Sequence, residues 1–517
     1  MSDTSGHAIQ RVIVVGGGSA GWLTAGLLAA EHGGRLQVTV LESPNVAPIG
    51  VGEGTWPTMR DTLRSIGVTE ADLVRECDAS FKQGSRFNGW VTGQADDRYF
   101  HPFVLPQGYT EADLVSAWLG QHAALPFAEL VSFQPHLCLQ GRAPKQFATP
   151  EFAAVANYAY HFDAGKFGVF LRSHCVERLG VQHVLDDLVA VQSHDNGDIA
   201  ALQTKEHGAI AGDLFIDCTG MQALLLGRHY QVGFVSQKHV LFCDSALALQ
   251  VPYADERTPI ASQTISTAHG GGWIWDIGLH ARRGVGAVYS SAHFSDDEAQ
   301  SALLDYIART GGSPSDLPLP RKLSFEPGHR ETFWHRNCVA IGLSAGFLEP
   351  LEASAIALIE HSAGLLRDQM PATRATMDIV AKRFNDSLHY RWARIVDFLK
   401  LHYVLSQRTD TAFWRDNQRA ESIPDQLRES LELWRHVPPS RHDFVRNDEA
   451  FPSASYQYVL YGMGFRPAPE SVRAKADAEA AAGYFREAAQ LTRKMLPALP
   501  SNRELIDHIK RHGLPRI

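Results

Sequence analysis

From Arg11 to Val15 the chain is almost wholly β-branched (RVIVV), the pattern of a strand buried on both faces. It passes through Gly16–Gly21 into an Ala- and Leu-rich stretch, Trp22–Glu31, that predicts a helix. A second apolar run, Gln37–Leu41, ends at Glu42 and completes a βαβ opening. Gly50–Thr58 is rich in Gly and Pro and predicts a loop leading into a helix near Pro57–Ile66. Residues 80–165 mix aromatic residues with Pro and Gly, which predicts an irregular insertion lying on the core. Gln182–Val184 and Leu188–Gln192 read as strands, paired across an Asn196–Gly197 turn with Ile199–Thr204. Leu214–Ile216 predicts another buried strand, residues 236–330 alternate as an antiparallel sheet does, and Val339–Gly342 predicts a last core strand. From about Ala353 the pattern is mostly helical, including Thr373–Leu401 and Ser422–Trp434. An Ala- and charge-rich packing arm over Arg473–Arg511 follows.

Composition narrows the class without naming a chemistry. The 517 residues allow two to four domains or one elaborated domain. Apolar residues make up 44% and charged residues 20%, as in a globular protein. The net charge of −9, with no stripe of clustered Lys and Arg, argues against nucleic-acid binding. No apolar run reaches membrane-spanning length, and the polar MSDTSGHAIQR opening does not read as a secretory signal. Six scattered cysteines without a CxxC pair predict reduced thiols in a cytoplasmic protein. The 24 histidines lack metal-ligand spacing, so no metal is expected.

Gly16-Gly17-Gly18-Ser19-Ala20-Gly21 satisfies GxGxxG, and it lies between the predicted strand and helix. Such glycines make the tight turn, admit a pyrophosphate to the backbone and pack helix on strand, while the helix N-terminus favours phosphate. Glu42 stands where a carboxylate binds the adenosine ribose. A Gly-rich turn in an unrelated α/β protein is the plain alternative. FAD is favoured over NAD because the fingerprint is single and N-terminal. Two further strands also end in small turns suited to an extended cofactor, Asp213–Gly220 and Asn337–Gly342.

Several motifs then occur in order: GGGSAGW (16–22), IGVGEGTWP (49–57), SFKQGSRFNGW (80–90), HPF (101–103), DLFIDCTG (213–220), GWIWDIGL (272–279) and AIGLSAGFLEPLEAS (340–354). Together they resemble the flavin-dependent tryptophan halogenases. The resemblance implies a Rossmann-like FAD-binding fold of the flavin monooxygenase type, with an antiparallel substrate-side sheet and a mostly helical C-terminal region. Residues 1–352 would form the FAD-binding module, its inserted segments 80–165 and 236–330 contributing to a substrate chamber. Residues 353–517 would be the helical region packed on it. It also implies FADH2 supplied by a separate reductase, O2, and chloride or bromide as halide. Hypohalous acid would pass to a lysine beside an indole-like substrate, and the protein would be a homodimer.

Residue by residue, the resemblance implies a catalytic Lys82, an ammonium that holds electrophilic halogen, and a catalytic Glu352 that pairs with Lys82 and takes the ring proton. A surface lysine and a helix-N-terminal Glu are the ordinary alternatives. FAD contacts would come from Gly16, Gly18, Ser19, Ala20, Gly21, Glu42, Gly50, Leu188, Thr219, Gly220, Leu343 and Ile356. Backbone N–H groups of Ser354 and Ala355 would hold halide. His101, Phe103, Trp273, Trp275 and Tyr456 would contact substrate, although any of these aromatics alone is more often simple core. The chain departs from the pattern at Ala353 (usually Ser), Ala355 (usually Gly) and Gly278 (usually Pro). The Gly278 and Ala353 departures keep open a halide-independent flavin monooxygenase or oxidase.

Overall fold

A computed structural model describes residues 8–46, 52–446, 448–468 and 478–515; Gly50 lies outside the described residues. The β-branched run Arg11–Val15 is the centre of a six-stranded sheet. Its order is Trp334–His335, Cys338–Ala340, Leu214–Asp217, Arg11–Val15, Gln37–Glu42, Gln182–Leu185. All neighbours are parallel except the first pair. Val12, Val14 and Val15 are buried because helices cover both faces of a parallel sheet. The helix Ser19–His32 packs on Ala164–Leu179 and on Ser354–Asp368.

Three strand expectations are corrected. Gln182–Leu185 joins the parallel sheet beside Gln37–Glu42 instead of the hairpin expected from its spacing. Leu188–Ser193 does pair with Ile199–Thr204, but five residues separate Ser193 from Ile199, so Asn196–Gly197 is not a two-residue turn. The loop closes instead through Asp198 N donating to Asn196 Oδ1 (3.0 Å) and His194 N donating to Asp198 O (2.8 Å). Residues 80–165 are also more regular than their composition predicts. Gly84–Asn88 and Arg98–Pro102 complete a seven-stranded sheet with Thr264–His269, Gly272–Gly278, Arg282–Tyr289, Ser245–Pro252 and Arg321–Ser324. Ser80–Lys82 pairs with Ala159–Asp163, which also pairs with Gly52–Gly54. Tertiary pairing overrode a weak local signal there, since β-propensity depends on the face a strand finds.

The helical half begins at Ser354–Asp368 and continues into Arg374–Val404, whose C-terminal half is buried against the sheets. In the core, Glu70 is wholly buried and accepts hydrogen bonds from Lys145 Nζ (2.6 Å), Tyr158 OH (2.5 Å), Tyr160 OH (2.7 Å) and Phe152 N (3.0 Å). A buried charge with this many donors is tolerated because its lone pairs are satisfied. No helix among the described residues is long and apolar enough to cross a membrane.

Candidate active site

The parallel strands deliver their C-terminal ends to one edge, where ligands bind in such sheets. Gly16 sits at φ 118°, and a Cβ there would come within 2.2 Å of Cys218 O. Only glycine can make that close approach. A Cβ on Gly18 would meet nothing within 4 Å, leaving the space a pyrophosphate needs. Ser19, Ala20 and Gly21 open the helix behind it. Glu42 folds back over Gly17, and its Oε2 makes no hydrogen bond although His183 Nε2 is 2.9 Å away. Thr219 is held by Asp217 Oδ1 (2.6 Å from its hydroxyl), and Gly220 follows at φ 68° with open space beside it. The turns Gly220–Gln222 and Gly342–Ser344 pack together, bringing Leu343 to this edge. Ile356 lies buried on the helix that packs against Ser19–His32, and Leu188 is half-buried just beyond Glu42. A glycine cradle, an unsatisfied carboxylate oxygen and a free helix start fit a dinucleotide.

On the other side, Glu352 takes a left-handed backbone conformation (φ 61°), as does Ala353 (φ 57°), immediately before Ser354–Asp368. Trp56 Nε1 pins the turn by donating to Glu352 O (2.7 Å). Two non-glycine residues in this region carry strain of about 1–3 kcal/mol each. The turn directs the carboxylate inward. His101 Nδ1 donates to Glu352 Oε1 (2.8 Å), Ser85 Oγ donates to Oε2 (3.3 Å), and His402 Nε2 lies 3.5 Å from Oε1. Burial alone would push the Glu352 carboxyl up, but His101, His402 and Lys82 hold it below its ordinary value. His402 is itself fixed by Tyr99 OH (2.6 Å to Nδ1), and burial drives its pKa down to about 3. Burial holds it neutral, and its Nε2 faces Glu352 without making a hydrogen bond.

Lys82 is buried at 1% exposure, far from the surface expectation for a lysine. Its Nζ donates to Thr55 O (3.3 Å) and lies 5.4 Å from the centre of the Phe103 ring. Lys82 Nζ and Ala353 Cβ are both within 3.3 Å of where a Cβ on Gly54 would stand, so a glycine makes room for their meeting. Burial lowers the Lys82 pKa from 10.5 to about 8, opposed by the nearby Glu352 charge. The expected pairing of Lys82 with Glu352 is therefore electrostatic across the site, while the Glu352 oxygens are occupied by His101 and Ser85. Ser354 and Ala355 begin the helix, where the first N–H groups lack intrahelical acceptors.

A cavity of about 850 Å³ opens from this junction, lined at its inner end by Glu352, His101, Phe103, Trp56, Phe451 and Tyr458. Phe451 stacks on Phe398 at 3.8 Å and meets Trp56 edge-on at 4.9 Å, forming an apolar wall. His101 and Phe103 thus reach the chamber, but three expected substrate contacts do not line it. Trp273 donates to Glu349 Oε2 (2.8 Å) and packs on Trp90, within the core. Trp275 lies across Gly286, where a Cβ would meet its ring at 2.2 Å. Tyr456 turns toward Phe398, Trp434 and Phe444, because on the helix Ser453–Gly462 the face toward the cavity belongs to Ala454, Ser455 and Tyr458. Ser455 Oγ also donates to His101 Nε2 (2.8 Å). Ser85 and Trp56 lie inside the SFKQGSRFNGW and IGVGEGTWP motifs, yet nothing in those motifs marked them as site residues, and His402 lies in no motif at all.

A glycine turn fit for a dinucleotide on one side, and an aromatic chamber with a buried lysine and carboxylate on the other, are the features of a dinucleotide-binding enzyme with a separate chamber for an aromatic ligand. The Tryptophan halogenase family matches residues 11–479. The tryptophan halogenase of Shewanella frigidimarina NCIMB 400 is 49% identical, with TM-score 0.95, covering 99% of this chain and 100% of that one. Tryptophan 6-halogenase SttH of Streptomyces toxytricini is 34% identical over 96% of this chain and 97% of that protein, and its structure superposes with TM-score 0.89. Tryptophan 7-halogenase RebH of Lentzea aerocolonigenes is 30% identical over 98% of this chain and 99% of that protein. The chain belongs to the tryptophan halogenase family, and it is an oxidoreductase that works with reduced FAD and halide.

Proposed function

We propose that this enzyme halogenates an indole-type arene by electrophilic substitution at the junction of Lys82 and Glu352. The supporting observation is that Lys82 and Glu352 are both buried and feel each other's charge, that Lys82 Nζ lies beside Gly54 and Ala353, the residue after Glu352, and that Glu352 lines the aromatic chamber. Reduced FAD, when bound, supplies the oxygen chemistry that converts halide to hypohalous acid. Gly16, Gly18, Ser19, Ala20, Gly21, Glu42, Leu188, Thr219, Gly220, Leu343 and Ile356 would hold it. The N–H groups of Ser354 and Ala355 would hold halide at a positive helix end. A pKa near 8 leaves Lys82 mostly ammonium at neutral pH, so it donates a hydrogen bond to hypohalous acid and orients its halogen toward the ring. Glu352, anionic and aligned by His101 and Ser85, takes the proton that the halogenated ring carbon must lose. Phe103 and the Trp56–Phe451 wall hold the ring. FADH2 would arrive by diffusion from a separate reductase, and the enzyme would act as a homodimer in the cytoplasm.

The test is bromination of indole with a flavin reductase, NADH, FAD, O2 and bromide, read by mass spectrometry. A brominated product that disappears without bromide is expected. A hydroxylated product indifferent to bromide would replace this reading with a monooxygenase.

A further inference from the structure

We infer that the chamber is built for an extended indole compound whose tail carries a positive charge that meets Glu360, about 9 Å along the helix from the Glu352 turn; the inference rests on the halogenase reading for its reactive end.

The chamber continues well past the ring site. One face of the helix Ser354–Asp368 lines it: Ala357, Glu360, His361, Gly364, Leu365 and Asp368, the spacing of a single helical stripe. From Ala357 to Asp368 that stripe runs about 16 Å at 1.5 Å per residue. A Cβ on Gly364 would meet nothing within 4 Å, so the groove stays open midway along. About 850 Å³ lies toward the upper end of the range that encloses drug-sized ligands.

Its charges select the tail. Among the described residues, the two arginines lining the cavity are already engaged, Arg367 with Asp368 (2.6 Å) and Arg391 with Asp448 (3.0 Å). Asp61 is paired with Arg64 (2.8 Å), and Glu449 accepts from Tyr390. Burial keeps His361 neutral, with a pKa near 3. A substrate carboxylate therefore meets acids and spent cations. Glu360 differs from its neighbours. It is 7% exposed and accepts from Thr62 Oγ1 (2.6 Å) and Thr58 Oγ1 (3.4 Å), both neutral donors. Burial pushes its carboxyl up to about 8, the behaviour of a buried acid without a cation. Without a cation Glu360 is mostly protonated at neutral pH; an ammonium arriving there would favour its ionised form, whose oxygens two hydroxyls already hydrogen-bond. Glu360 lies six residues into the helix from Ser354, about 9 Å from the turn that holds Glu352.

The test uses indole-3-acetic acid amides of diamines with two to six methylenes, their uncharged alkyl counterparts, and L-tryptophan. In the bromination assay, kcat/KM is expected to rise with tail length and to exceed both the uncharged match and L-tryptophan by about tenfold, the order of one charge-assisted hydrogen bond. Glu360→Gln should bring charged and uncharged tails to parity. Gly364→Leu, which favours the helix and fills the groove, should lower the preference for long tails without unfolding the protein. Calorimetric titration of the same compounds into flavin-free protein reads the tail contact independently of turnover. Equal handling of charged and uncharged tails, a preference for L-tryptophan, or a preference that survives both variants would overturn the inference. Charge-selective binding without bromination of any indole would instead refute the halogenase reading and leave the tail site standing.

Discussion

Replacing Lys82 by methionine should abolish halogenation and, at neutral pH, make the protein more stable. The side chains are similar in length, and Lys82 is enclosed at 1% exposure, so the substitution leaves little void. The folded state lowers the Lys82 pKa from 10.5 to about 8. Below pH 8 both folded and unfolded chains carry the proton, but the folded one holds it less well. Each unit is worth about 1.4 kcal/mol, so the buried charge costs about 3 kcal/mol. Between pH 8 and 10.5 the unfolded chain keeps a proton that the folded one has released, so wild-type stability rises with pH across that window. Above it the cost is gone. Lys82→Met should therefore gain up to about 3 kcal/mol near pH 7, a figure already net of the Glu352 attraction, and the gain should vanish by about pH 10.5. One kcal/mol moves the melting temperature by about 2–4 °C in chains of 150–250 residues and by less here, so a rise of a few degrees is expected. Thermal melts of flavin-free wild type and variant from pH 7 to 10 provide the assay. A variant that melts lower at pH 7, or a difference that does not change with pH, would refute the claim that this lysine is held at the cost of stability for its chemistry.

Other substitutions separate cofactor, chemistry and scaffold. Glu352→Gln keeps the shape of the turn but removes the base, so product formation should fall about 10²–10⁴-fold while FAD binding persists, measured by turnover and flavin fluorescence. Gly16→Ala forces a methyl against Cys218 O and should abolish FAD binding, which equilibrium titration would show. Lys145→Met strips the cation from buried Glu70 and should cost about 3–5 kcal/mol, seen as a clear drop in melting temperature.

The strand–glycine turn–helix that we propose cradles FAD was legible in the chain because its demands are local. A tight glycine turn, a strand before it, a helix after it and an acid beyond are all consecutive backbone requirements, and Gly16, Gly18 and Glu42 stand where that grammar put them. Lys82 and Glu352 were singled out through motif resemblance, not through spacing, and folding buries both and couples their charges. Only the tertiary structure decided what surrounds them. His101 meets Glu352 across 251 residues and Ser455 across 354, separations over which no periodicity carries information. The same holds for substrate contacts. Tyr456 belonged to the right helix, yet a helix turns about 100° per residue, and packing gave the chamber Ser455 instead. Trp273 was an aromatic on the expected strand, but a buried indole N–H needs an acceptor, and Glu349 provided one on the far side of the wall. Backbone geometry is written in neighbouring residues; the company a side chain keeps depends on which distant surfaces close over it.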